Sequence, residues 1–321
     1  MRTRTKVWII IAASLVLAGG MIFAGVMSVL GWDFSRLSTV QYESNQHEIS
    51  EKFSGISVKA GAADLTFVLS EAGICRVECY EAKKEKHAVT VQDGTLEIKT
   101  INEKTWYDYI GIHFGAPKIK VYLPEKEYTT LCVRNSTGNV EVAKDFKFES
   151  VDVLLSTGHV DFCASASGMI KIKADTGDIC VENISADSLD LTVSTGKVTV
   201  SDVSCEGDVT VTVSTGETYL TDLVCKSVLS SGDTGDIHLN NVIAAEKFSV
   251  ERSTGDVKFG GSDAAEIFVK TDTGDVTGSF LSDKVFLAQT DTGSVNVPQT
   301  AVGGKCEITT DTGDVNIDIM Q

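Results

Sequence analysis

The sequence predicts an all-β protein: a single-stranded β-helix (β-solenoid) of 19–20-residue coils, preceded by one N-terminal transmembrane helix. Three observations carry this. Val7–Leu30 is a run of 24 residues without a charge. The unit [Ser/Asp]-Thr-Gly recurs ten times, always 19 or 20 residues after the previous copy. Around each copy, apolar and mostly β-branched residues recur with a spacing of two, the period of a strand.

The apolar run comes first. At about 1.5 Å per residue it extends about 36 Å, enough for a hydrocarbon core of about 30 Å. Arg2, Arg4 and Lys6 precede it with no acid nearby, which places the N terminus in the cytoplasm and the body outside. The lipid bilayer is thus the expected partner of residues 7–30. A cleaved signal peptide ending near Ala18-Gly19-Gly20 is the competing reading. An anchor is favoured because the apolar run continues past Gly20, beyond a signal core of about 7–15 residues. Residues 31–46, rich in Ser, Asn and Gln, read as a tether, with Trp32 suited to the membrane interface.

Residues 47–130 have strand texture without Thr-Gly, in runs such as Gly55–Val58, Leu65–Leu69, Ile74–Tyr80 and Lys118–Leu123. They are expected to form irregular opening coils of the same solenoid. Residues 131–321 hold the regular repeats, with turn glycines at Gly138, Gly158, Gly177, Gly196, Gly216, Gly235, Gly255, Gly274, Gly293 and Gly313. Seven and five residues before each Gly, and two and four after it, stand apolar columns such as Leu189, Leu191, Val198 and Val200. Each repeat therefore supplies two short strands joined by the turn, then a short third side. Gly suits a turn with positive φ, and Ser or Asp can bond the turn backbone. A meander with Thr-Gly hairpins fits the turns too. The solenoid is favoured because in-register stacking requires like residues at like offsets.

Composition narrows the function classes. The formal net charge is −17, and residues 31–321 carry −20 once the three N-terminal cations are set aside. So acidic a body repels phosphate backbones, so no nucleic-acid partner is expected. Asp-Thr-Gly also carries the catalytic Asp of aspartic proteases. Here five copies (Asp175, Asp233, Asp272, Asp291 and Asp311) exchange with five Ser-Thr-Gly units, which marks turn caps. Acids directly after Gly (Asp178, Glu217, Asp236, Asp256, Asp275 and Asp314) form a candidate carboxylate column. It is either a solvated edge or a Ca²⁺ column, the latter through Asp178, Asp236, Asp256, Asp275 and Asp314. The solvated edge is favoured, because His159, Lys197 and Ser294 interrupt the column.

The eight cysteines read mainly as small buried apolar residues, although Cys205 and Cys225 share an offset compatible with a bridge. With the five His dispersed and no Cys-x-x-Cys, no zinc site and no cofactor is expected. The aromatic insertion Trp106, Tyr107, Tyr109 and Phe114 is either a partner surface or a flap over the end of the solenoid. The strand Asn316–Met320 ends the chain without an evident cap, so an open edge there would permit self-association.

The anchored opening, the element Val121-Tyr122-Leu123-Pro124 and the serial Ser/Asp-Thr-Gly-Asp-Val units resemble a bacterial β-strand-repeat family of unknown function. That family includes adhesin-like and LiaG-like envelope proteins, and the resemblance covers about residues 47–321. It implies a single-stranded β-helix at the cell envelope and brings no catalytic residues with it. The expected function is that of a non-catalytic binding or scaffold protein in the bacterial cell membrane, acting on an envelope protein or wall polymer. Two alternatives stay open: a carbohydrate-active enzyme on a β-helix, and a cation-stabilised structural module.

Overall fold

The computed structural model describes residues 3–33, 40–103 and 115–320. Among the described residues a single helix, α1 (Thr3–Val29), is followed by strands. Thr5–Val29 has a mean hydropathy of 2.4 and is long and apolar enough to cross a membrane. Its side chains are exposed apart from Met27, Val16 at 75% and Ile22 at 69%, which suits contact with lipid.

The first nine strands are β1 (Tyr42–Ile49), β2 (Gly55–Ala62), β3 (Asp64–Leu69), β4 (Cys75–Ala82), β5 (Glu85–Gln92), β6 (Thr95–Asn102), β7 (Lys118–Leu123), β8 (Glu127–Thr137) and β9 (Val140–Val142). From β8 onward the ladders are parallel and, apart from local shifts such as that between Cys225 and Ser227, in register, and as far as Thr273 they join each coil to the next: Val151 pairs with Leu131 and with Ile170. Strands on either side of Thr-Gly lie on different faces, so the turn is a solenoid corner and not a hairpin. The apolar columns stack inward into one continuous core, with Leu189, Leu191, Val198 and Val200 at most 1% exposed.

From residue 179 on, the short third side is also strand, as in the ladder Ile184–Val203–Leu223–Val242. A second left-handed corner sets it off, six residues after Gly, at Asn183, Asp202, Asp222, Asn241 and Gly261 (φ +56°, +54°, +50°, +51° and +57°). Asn, Asp and Gly are the residues that tolerate this conformation best.

The opening segment departs from the expectation of serial coils. Strands β2 and β3 form one coil, and β6 and β7 form another. Strands β1, β4 and β5 instead pair antiparallel, β4 with both β1 and β7, and β5 with β6. They cap the solenoid and cover edges that would otherwise stay unpaired. The expected tether is also shorter than residues 31–46, since β1 begins at Tyr42. Its strand character was hidden because the side of β1 facing β4 is polar. Asn45 Nδ2 donates to Glu81 Oε1 at 2.7 Å, and Glu43 Oε1 lies 2.6 Å from Lys86 Nζ.

Both ends of the solenoid reverse the order of the chain. The coil of β2 and β3 lies between the β6/β7 coil and the β8/β9 coil. At the other end, Gly304–Thr312 lies between the strand ending at Thr273 and Lys284–Thr292, so the last coil is inserted beneath the one before it. The expected open edge at Asn316–Met320 is covered only at its start: Val295 and Asn296 pair with Val315 and Asn316, while Ile317–Ile319 pair only with Gly278–Phe280, and a longer uncovered edge belongs to Lys284–Thr292. That outer coil is accordingly half exposed, with Leu287 at 55% and Val295 at 43%. Strand addition at this end would meet Lys284–Thr292 first.

Candidate functional site

The Thr-Gly edge runs the length of the regular repeats. All ten turn glycines have φ between +120° and +153°. Positive φ is only part of the requirement. A Cβ added to Gly216 would stand 1.9 Å from the carbonyl oxygen of Gly196, and one at Gly177 would stand 1.8 Å from that of Gly158. Each glycine thus packs backbone on backbone against the adjoining coil, Gly138 against Ala63 and the other nine against a glycine, and the Gly216 N–H donates to Thr234 O at 2.8 Å.

Directly beside this stack, the acidic column has a definite task. Oδ1 of Asp178 accepts from the backbone N–H of Lys197, Asp236 from Asp256, Asp256 from Asp275, Asp275 from Asp314, and Asp314 from Ser294, at 2.7–3.0 Å. Asn139 and His159 serve the same way in the earlier coils, accepting from the N–H groups of His159 and Asp178. All five residues of the candidate Ca²⁺ column therefore use one carboxylate oxygen on the backbone of the adjoining coil. Their charge is partly neutralised: Lys258 Nζ lies 3.1 Å from Asp256 Oδ2 and 3.6 Å from Asp236 Oδ2.

The Asp275 N–H, helped by Lys258, holds the Asp256 carboxyl below the usual carboxylate range, and the Ser294 N–H and hydroxyl do the same for Asp314. A folded-state pKa below the unfolded value means stability that is present above about pH 4 and is lost as pH falls through the folded value. Urea midpoints of wild type should therefore decline on acidification below about pH 4, and less so in Asp256→Asn. At neutral pH, Asp256→Ala should cost about 1–2 kcal/mol by leaving the Asp275 N–H without its acceptor, with Asp256→Asn costing less than half of that. Adding about 10 mM Ca²⁺ to chelator-treated protein should leave the midpoint where it was, since extracellular calcium modules bind with Kd of about 10⁻⁴–10⁻³ M.

The Asp of the five Asp-Thr-Gly units are all exposed. The inverted coil order makes Asp272, Asp311 and Asp291 successive in space, because Thr310 pairs with both Thr271 and Thr290. Together with Asp256, Asp275 and Asp314 they make the C-terminal end of this edge its most acidic part.

A polar interruption lies inside the core, in a column three residues before Gly that sequence periodicity does not reveal. Its members differ in kind: Asn135, Leu155, Ala174, Val193, Val213, Gly232, Arg252 and Thr271. Arg252 is 3% exposed. Its guanidinium occupies the space left free by Gly232, where a Cβ would stand 2.1 Å from Nη1. Nη1 donates to Val213 O at 2.6 Å and Nη2 faces Thr218 Oγ1 at 3.4 Å, while Nε and the nearby core hydroxyl of Ser230 have no partner. Burial pulls the Arg252 pKa down, opposed by the carboxylates of Asp233 and Asp236. A shallow surface cavity of about 420 Å³ borders this point, lined by Ser231, Asp233, Lys270 and Asp272 among others.

The eight cysteines are free thiols, and Cys75, Cys79, Cys205, Cys225 and Cys306 are buried as expected. Desolvation pushes these five up to about 12, which makes them poor nucleophiles. The aromatic insertion at Trp106, Tyr107, Tyr109 and Phe114 lies outside the described residues.

Residues 53–217 and 206–321 match the Toastrack DUF4097 family. The chain belongs to this family. No curated protein matches the chain. Among solved structures, the Toastrack chain is similar to a "putative lipid binding protein" from Parabacteroides distasonis, at 17% identity and a TM-score of 0.50, over 75% of this chain and 98% of that one. It is also similar to a "putative adhesin" from Bacteroides fragilis, at 12% identity and a TM-score of 0.38, over 87% and 97% of the two chains. At 17% identity the first of these likenesses concerns the fold alone. The family match and these neighbours bring no reaction and no catalytic residue to this Toastrack chain.

Proposed function

We propose that this chain is a non-catalytic binding and scaffold protein of the bacterial cell envelope, held by α1 in the membrane with the solenoid outside. The observation that carries this reading is the Thr-Gly edge. Its side chains are fixed coil by coil by hydrogen bonds to backbone, so a long acidic surface is presented already ordered. A surface that loses little freedom on binding spends less of its interaction energy on ordering. The cations before α1 set the orientation.

The test is mass spectrometry of partners cross-linked in intact cells to tagged full-length protein. The proposal expects membrane or surface partners. A membrane sensor or transporter would make the chain an accessory regulatory module, whereas wall polymer or surface proteins would make it adhesin-like. Cross-links confined to cytoplasmic proteins, or turnover of envelope polysaccharide by the purified protein, would overturn it.

A further inference from the structure

Sequence spacing supports no zinc site, yet the fold assembles a donor set at the N-terminal cap. Cys79 and Glu81 are two apart on β4 and so share its inner face. The chain then turns through Lys83 and Lys84 and returns His87 from β5. One donor atom from each of the three residues lies within 4.8 Å of the others. All three are buried: Cys79 and Glu81 are 1% exposed and His87 is 5% exposed.

Glu81 Oε2 accepts from the His87 backbone N–H at 2.6 Å and lies 2.7 Å from His87 Nδ1, while Oε1 accepts from Asn45 Nδ2 at 2.7 Å. A carboxylate–imidazole contact taken this far from water gains little stability by itself, because desolvation offsets the attraction. A sulfur, a nitrogen and a carboxylate oxygen in one buried cluster form a donor set for a borderline cation. Zn²⁺ takes all three kinds, whereas Ca²⁺ and Mg²⁺ prefer oxygen. Nearby on β1, His47, paired with Val77 and outside the three-residue donor set, has a buried Nε2 without a partner. Asn45 acts as an outer partner that fixes the carboxylate, as the surroundings of zinc ligands usually do.

The position gives the site a purpose. Strand β4 belongs to the face that continues through β7, and β5 to the face that continues through β6. Only Ala82 and Glu85 pair between β4 and β5, so where the chain crosses from one face to the other its backbone bonds run outward, Lys83 N–H to Gln41 O and Glu103 N–H to Lys84 O, and hardly tie the two strands to each other. We propose that Cys79, Glu81 and His87 bind a structural zinc ion that pins this crossing and so locks the N-terminal cap of the solenoid.

The test uses full-length protein in detergent, stripped with chelator and then titrated with Zn²⁺ or Co²⁺. One equivalent should bind, with a thiolate-to-cobalt charge-transfer band and a rise in the unfolding midpoint that Ca²⁺ does not produce. Cys79→Ala and His87→Gln should each weaken binding by at least about 100-fold, more than loss of an outer partner costs. Cys75→Ala, on the same strand but outside the cluster, should bind as wild type does. Absence of the sulfur band in wild-type protein would overturn the proposal whether or not the variants fold. Binding unchanged in Cys79→Ala and His87→Gln would overturn it equally. Neither result bears on the envelope partners sought by cross-linking.

Discussion

Gly216→Ala is expected to destabilise the solenoid by about 4–5 kcal/mol or more, at the far end of what single substitutions do. Two costs add. The residue sits at φ +137°, a conformation L side chains rarely adopt. Its new Cβ would also stand 1.9 Å from the Gly196 carbonyl oxygen, and that neighbour is backbone held in ladders on both sides. Relief requires these two coils to separate, which breaks the hydrogen bond from the Gly196 N–H to Thr215 O. Gly61→Ala is the matched control. Nothing lies within 4 Å of its Cβ, so its effect should stay within about 0.5 kcal/mol. Urea denaturation followed by far-ultraviolet circular dichroism measures both. Comparable midpoints for the two variants would mean that the glycine stack is not close-packed.

Arg252→Ala should cost about 2–5 kcal/mol, the range for removing a large buried side chain. The void would run beneath Gly232, which has no side chain to fill it, and Val213 O would lose its donor. Arg252→Met should cost much less. It keeps most of the volume and removes a buried guanidinium that has no carboxylate within salt-bridge distance among the described residues. Replacing buried charge by apolar volume is often neutral or stabilising. If Met proved as damaging as Ala, the charge itself would be what the core requires, and volume would not be the deciding factor.

Much of this protein is legible in the sequence because repetition encodes it. The columns at Leu189, Leu191, Val198 and Val200 are apolar at every equivalent offset with few exceptions, and stacked parallel strands need that consistency. The left-handed corner at Asn183, Asp202, Asp222, Asn241 and Gly261 was legible too, had the offset six after Gly been aligned. The column of Arg252 was not, since Leu155, Gly232, Arg252 and Thr271 share no chemistry and make sense only in pairs across coils. The acids after Gly were visible as a column. Their partner, the backbone N–H of the next coil, was not visible, because a carboxylate column looks the same whether it faces metal, water or backbone. The antiparallel cap hid behind a polar face, with Asn45 against Glu81 and Glu43 against Lys86. The Cys79–Glu81–His87 cluster depends on a hairpin crossing between faces, which residue spacing does not specify.

By itself the sequence determined the apolar N-terminal helix, the coil length, the Thr-Gly corner and the parallel, in-register architecture of the repeats. These follow from local period, turn chemistry and identical residues at identical offsets. Only the tertiary structure decided the order in which coils stack at the two ends. A coil built from the same columns fits equally well on any other, so repetition carries no information about which neighbour it takes. That choice falls to the ends, where the connecting segments and the need to cover unpaired edges select one order. The result brings Asp311 between Asp272 and Asp291, and places Gly304–Thr312 beneath Lys284–Thr292.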